Sequence, residues 1–128
     1  MALTTLAAWL MASAFALSTT HEVYRATAKA GVSRYDSMRE LLTRTLPFYL
    51  GALVLVLAMG FGVTGTAWAG LALAVAMVLV SALYYNPTIM AVRQPGMIDW
   101  AEDVAFTGLF FASAVLLTAH LADITLAT

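Results

Sequence analysis

Four long apolar runs, separated by polar connections, make up most of the chain. They cover residues 3–26, 46–63, 66–85 and 100–122. Each run has about the length that an α-helix needs to cross a hydrocarbon core of about 30 Å. Lipid offers no partner for open backbone groups, so helices are the expected spanning structure. The pattern predicts an all-α integral membrane protein, with residues 1–128 forming a single four-helix transmembrane bundle.

The first run has a competing interpretation as a cleaved signal peptide. Ala14-Phe15-Ala16 has the small residues that are typical of a cleavage site. A signal peptide also needs a basic segment before its apolar core, and Met-Ala-Leu-Thr-Thr contains no Lys or Arg. We therefore expect the run to be retained as a transmembrane helix.

The first connection has the pattern of a short helix rather than of a loop. Ser37 and Glu40 have the spacing of a capping box, and apolar residues recur after them at helical intervals. We predict an interfacial helix over residues 33–45 that runs into the second span, with Pro47 kinking the join. In the second polar connection, Asn86-Pro87 favours an end of the third helix near Tyr85 or soon after.

The distribution of basic residues predicts an orientation. All six lie at the polar connections: Arg25, Lys29, Arg34, Arg39 and Arg44 between the first two runs, and Arg93 between the last two. Under the positive-inside rule both connections face the cytoplasm, which places both termini on the non-cytoplasmic side. We expect an integral protein of a prokaryotic cytoplasmic membrane.

Composition supports the membrane class and excludes several partners. The chain is 62% hydrophobic and 10% charged, whereas soluble domains are about 45–50% apolar and about 25% charged. A net charge of −1 gives no reason to expect nucleic acid. The absence of cysteine excludes thiolate metal sites and a cysteine nucleophile. The expected partners are membrane lipid and either other membrane subunits or further copies of the chain.

Most of the polar side chains collect at the predicted cytoplasmic end, and ionisable groups at membrane depth are candidates for function. A single histidine there does not supply the three or four ligands of a metal site. We therefore predict ligand or ion-pair roles, with no metal and no identifiable cofactor. The candidates are His21, Glu22, Arg25, Arg39, Arg44, Tyr85, Arg93, Glu102 and Asp103.

Several of these candidates also have purely structural interpretations. Glu22 and Arg25 are three residues apart and could pair along one helix face. Asp99 and Glu102 have the spacing of a capping box for the fourth helix. Asp103 adjoins an apolar run and needs a partner, for which Arg25 and Arg93 are the best candidates.

Short motifs resemble those of one known family. The basic segment before Leu46-Pro47-Phe48, and Tyr84 or Tyr85 at the foot of the third helix, resemble the membrane-associated eicosanoid and glutathione metabolism (MAPEG) family. The resemblance implies four helices, outward termini and a ligand site that uses Arg39, Arg44 and Tyr85. Where that family has Asn and Glu before the proline, this chain has Leu41 and Arg44.

Three functional hypotheses follow. The leading one is a structural or accessory subunit of a larger membrane complex or homo-oligomer, because small residues are frequent and no catalytic motif is visible. The second is a MAPEG-like enzyme or lipid-ligand binder with its site at the cytoplasmic mouth. The third is a small proton- or ion-coupled carrier that uses Glu22 and Asp103.

Overall fold

The computed structural model describes residues 2–127, with side chains described over 2–123. In this part of the chain four helices carry the fold. They are α1 (Leu3–Thr27), α2 (Met38–Gly60), α3 (Thr66–Val92) and α4 (Met97–Ala127), and the described residues form no strand. Each helix contains a stretch long and apolar enough to cross a membrane. The predicted all-α four-helix transmembrane bundle is confirmed.

Helices α1 and α4 form the centre of the bundle. They pack along each other, α2 lies against α1, and α3 lies against α4. The core between them combines small residues with aromatic rings, and Phe15 meets Phe110 edge-on with ring centroids 5.2 Å apart. The outer helices α2 and α3 are less buried than α1 and α4, so most of their apolar side chains face outward, as a lipid solvent permits.

Helix α2 begins within the first connection. The backbone N–H of Glu40 donates to Ser37 Oγ at 3.1 Å, which confirms the capping role of Ser37. A π-helical turn over Leu41–Thr45 follows and leads directly past Pro47. The predicted interfacial helix and second span are therefore one continuous helix, which begins at Met38.

Helix α3 continues through Asn86-Pro87, contrary to the expectation that it would end near Tyr85. The segment Ser81–Ile89 is π-helical, and a 3₁₀ turn over Met90–Val92 closes it. A proline in an α-helix loses one hydrogen bond and crowds the carbonyl four residues back, whereas a π turn widens the helix at that point. Of the two prolines within helices, Pro87 thus lies in a π-helical segment and Pro47 lies two residues after one.

The connection between α1 and α2 folds back onto the bundle. Gly31 adopts a φ of +84°, which a residue with a side chain rarely adopts, and its N–H donates to Asp36 O at 2.8 Å. This turn returns the chain towards the end of α1. It places the Asp36 side chain inside the protein, fully buried.

Candidate functional site

Seven ionisable side chains form a buried cluster where α1 and α3 end and α2 and α4 begin, a region called the charged end below. They come from α1, from both polar connections and from α4. We call them the ion cluster: His21, Glu22, Arg25, Asp36, Arg93, Asp99 and Glu102.

The centre of the ion cluster is the pair of Arg25 and Asp36. Arg25 Nε and Nη2 donate to the two carboxylate oxygens of Asp36 at 2.9 and 2.7 Å. Ser33 Oγ donates to Asp36 at 2.8 Å, and Arg93 Nε lies 3.1 Å from it. Burial alone would raise the pKa of Asp36, but these donors and charges outweigh it, so its pKa lies below the ordinary value. The first connection is therefore anchored to α1 through an ionised carboxylate.

Arg93 anchors the second connection in the same way. Its Nη1 and Nη2 donate to the two Glu22 oxygens at 2.9 and 2.7 Å, and Nη1 also donates to Tyr85 OH at 2.8 Å. Burial would lower the pKa of Arg93, but the Glu22 carboxylate raises it well above the ordinary value. Its guanidinium is permanently charged and is paired with the Glu22 carboxylate.

His21 links two acids of α4. Its Nε2 lies 2.7 Å from Asp99 Oδ1, and its Nδ1 lies 3.5 Å from Glu102 Oε2. Asp99 Oδ2 also accepts a bond from the backbone N–H of Gly96 at 2.8 Å. Because α4 begins at Met97, the capping contact joins Gly96 and Asp99, and the predicted cap formed by Asp99 and Glu102 is wrong.

Two predicted ion pairs have different partners in the structure. The predicted pair of Glu22 and Arg25 does not form. Arg25 instead pairs with Asp36 and Asp99. Glu22 pairs with Arg93. Asp103 is buried but pairs with neither arginine. It accepts a hydrogen bond from Ser81 Oγ at 3.2 Å instead. Arg25 and Arg93 each form two parallel hydrogen bonds with a carboxylate from another segment of the chain. Such bidentate pairs are stronger than single contacts.

The two remaining basic candidates lie outside the ion cluster. Arg39 is exposed on the first turn of α2. Arg44 is also mostly exposed, with its Nε 3.4 Å from Glu40. The structure thus brings together six of the nine predicted residues and leaves Arg39, Arg44 and Asp103 outside.

A cleft of about 380 Å³ opens beside the ion cluster. Helices α2 and α3 form its walls, and α1 and α4 form its floor. Its lining mixes polar and apolar side chains, and each of the two wall helices contributes both kinds. The side chains that line it include Ser18, Glu22, Tyr35, Glu40, Arg44, Phe48, Tyr49, Met77, Val80, Ser81, Tyr84, Tyr85, Ile89, Arg93, Glu102 and Phe106.

Sequence reasoning missed Asp36, the most buried acid of the cluster. It lies in a connection between Tyr35 and Ser37, where an aspartate is typical of a solvated turn. The surplus of arginines around it was the available signal, since buried charges must be paired. The hydrogen bond of 2.6 Å between Ser18 and Tyr49, which joins α1 to α2, was also not foreseen.

The described residues contain no group of three side chains placed to hold a metal ion. Comparisons with known protein families, with curated proteins and with solved structures found no match for the chain. The MAPEG resemblance therefore stays a prediction from short motifs.

Proposed function

We propose that this small membrane protein binds an amphiphilic, lipid-like ligand in the cleft between α2 and α3. The observation that carries the proposal is the mixed lining of the cleft. Glu22, Arg93 and Glu102 supply charged groups to it, and Phe48 and Val80 supply apolar surface. A molecule with a polar head and a hydrocarbon tail matches both kinds of lining.

The size and position of the cleft support this function. Its volume of about 380 Å³ lies within the range of about 300–1,000 Å³ of small-molecule sites. Both wall helices have outward-facing apolar surfaces, so a tail that leaves the cleft between them enters the bilayer. The ligand can therefore exchange with lipid without crossing water.

The other two hypotheses draw less support from the charged end. A carrier that uses Glu22 and Asp103 needs both acids on one path, but Glu22 is bound to Arg93 and Asp103 to Ser81. An accessory subunit needs no cleft at all. The accessory or oligomeric role, the cytoplasmic orientation of the charged end and the prokaryotic membrane remain predictions from the sequence.

Photolabelling in nanodiscs tests the proposal. The probe is dodecanol carrying a diazirine on its chain, which is neutral and partitions into any bilayer. We expect saturable labelling of the cleft residues Phe48, Val80 and Ile89, and competition by unlabelled dodecanol. Labelling spread evenly over the lipid-facing surface, without saturation, would exclude a ligand site.

A matched pair of variants separates the cleft from the general lipid surface. Val80→Trp fills part of the cleft and should abolish the saturable labelling. Val54→Trp adds the same bulk to an exposed position on α2, so labelling should persist. Equal loss in both variants would point to a general effect on the protein and count against the cleft.

A further inference from the structure

Glu102 is the one acid of the cleft without a guanidinium partner among the described residues. The two arginines that line the cleft are already matched, Arg93 by Glu22 and Arg44 by Glu40. The Glu102 side chain is only 9% exposed, and His21 Nδ1 at 3.5 Å is its nearest charge partner. With three glutamates against two arginines, the cleft carries an excess negative charge at its buried side.

Aromatic rings make up much of the remaining lining of the cleft. Six of them border it, and the face of an aromatic ring attracts a cation through its quadrupole. A buried carboxylate in a cleft lined by aromatic rings is an environment that recognises ammonium groups. The rings are those of Tyr35, Phe48, Tyr49, Tyr84, Tyr85 and Phe106.

The contact between His21 and Glu102 is not a hydrogen bond. His21 Nε2 lies 2.7 Å from Asp99 Oδ1. His21 Nδ1 lies 3.5 Å from Glu102 Oε2 and has no hydrogen-bond partner among the described residues. The Glu102 carboxylate is therefore open to a cationic ligand or to a proton.

The titratable and charged groups around Glu102 come from all four helices and the second connection. Arg93 is the arginine among them, and it already binds Glu22. They are His21, Glu22, Tyr49, Tyr85, Arg93, Asp99 and Asp103.

We propose that the cleft selects amphiphiles with an ammonium head, and that this head competes with a proton for the Glu102 carboxylate. The inference rests on the proposed function and names its ligand class. The cation lies against Glu102 and the aromatic rings, the tail follows the apolar lining, and a proton displaced from Glu102 passes to solvent. Proton and ligand therefore compete for one carboxylate.

Binding to the wild-type protein in nanodiscs tests this competition. The probes are dodecyltrimethylammonium, whose charge does not vary with pH, and dodecanol, which has the same chain and no charge. We expect the ammonium probe to bind at least about tenfold more tightly. Its affinity should rise with pH, because the proton and the cation compete for the Glu102 carboxylate. In the pH range where the affinity changes, calorimetry in buffers of different ionisation enthalpy should show proton release on binding.

Two carboxylate-to-amide changes at adjacent positions complete the test. Glu102→Gln should remove the preference for the ammonium probe and its pH dependence, while dodecanol still binds. Asp103→Asn should keep both, since that carboxylate accepts from Ser81 and does not line the cleft. If Glu102→Gln does not fold, the two probes and the proton count on the wild-type protein still decide.

The outcomes separate the two proposals. Equal affinity for both probes, or no proton release, overturns ammonium selection and leaves the amphiphile cleft in place. Absence of saturable binding for either probe overturns the proposed function as well.

Discussion

The two ends of the bundle are held together by different kinds of interaction. At the charged end, directional ion pairs such as Arg25 with Asp36 and Arg93 with Glu22 join helices to connections. At the opposite end, which contains residues 61–65, apolar side chains pack through van der Waals contacts, which have no preferred direction. There the Met59 sulfur lies so close to Gly70 that a Cβ at that position would be 2.5 Å from it.

The difference explains why the candidate site lies at one end only. In lipid, packing between helices depends on close van der Waals contact, which leaves little room between them. Midway along α1 the hydroxyl of Ser13 bonds within its own helix, to Trp9 O at 2.8 Å. At the charged end, ion pairs hold the connections, and the cleft of about 380 Å³ there is bordered by an acid without a guanidinium partner.

The largest effect is expected when Asp36, the central acid of the ion cluster, is changed. Asp36→Asn keeps the shape of the side chain but deprives Arg25 of its bidentate partner, so we expect a loss of about 3 kcal/mol in the free energy of unfolding. Glu40→Gln, which breaks only the exposed pair with Arg44, should cost less than about 1 kcal/mol. Unfolding in mixed micelles measures both. Equal costs would show that burial of the cluster adds nothing.

A second change tests the apolar core. Phe110→Ala removes a fully buried ring that packs on Phe15 and Phe106, and we expect a loss on the order of 2 kcal/mol. The value is below that of a soluble core because lipid already solvates apolar groups. The adjacent Phe111 is 62% exposed, so Phe111→Ala should change little. A larger effect at Phe111 would mean that this face is covered by another protein.

Acid titration should weaken the charged end and spare the core. The pKa of Asp36 is lower in the folded protein than in the unfolded chain, so its contribution is complete above an unfolded pKa of about 3.9. Stability should fall as the pH drops through the folded pKa, by less than Asp36→Asn costs, because a protonated carboxyl still makes hydrogen bonds. Unfolding of wild type and Asp36→Asn between about pH 2 and pH 6 measures this. Parallel curves would exclude Asp36 as the cause.

The smallest effect concerns the single hydroxyl pair between α1 and α2. Tyr49→Phe removes the bond to Ser18 and should cost about 0.6 kcal/mol, as is typical between membrane helices. A double-mutant cycle with Ser18→Ala isolates the interaction. A coupling of several kcal/mol would show that this pair, rather than the ion cluster, holds α2 to the bundle.

Sequence reasoning reached the right part of the molecule for the candidate site but not its pairings. His21, Glu22, Arg25, Tyr85, Arg93 and Glu102 were all predicted at the charged end, and the structure brings them together. Which acid meets which arginine depends on how the two connections fold back. Helical spacing predicts only contacts between neighbours on one helix, so it predicted a pair of Glu22 and Arg25. It predicts no contact for Asp36, which lies in a connection.

The sequence by itself determined the class of the protein. Four apolar runs of membrane length leave helices as the available structure, because lipid cannot satisfy open backbone groups. Only the tertiary structure decided that α3 passes through Pro87, that Asp36 is buried, and that Glu102 borders a cleft without a guanidinium. Those features depend on contacts between residues far apart in the chain, and hydrophobic periodicity carries no information about such contacts.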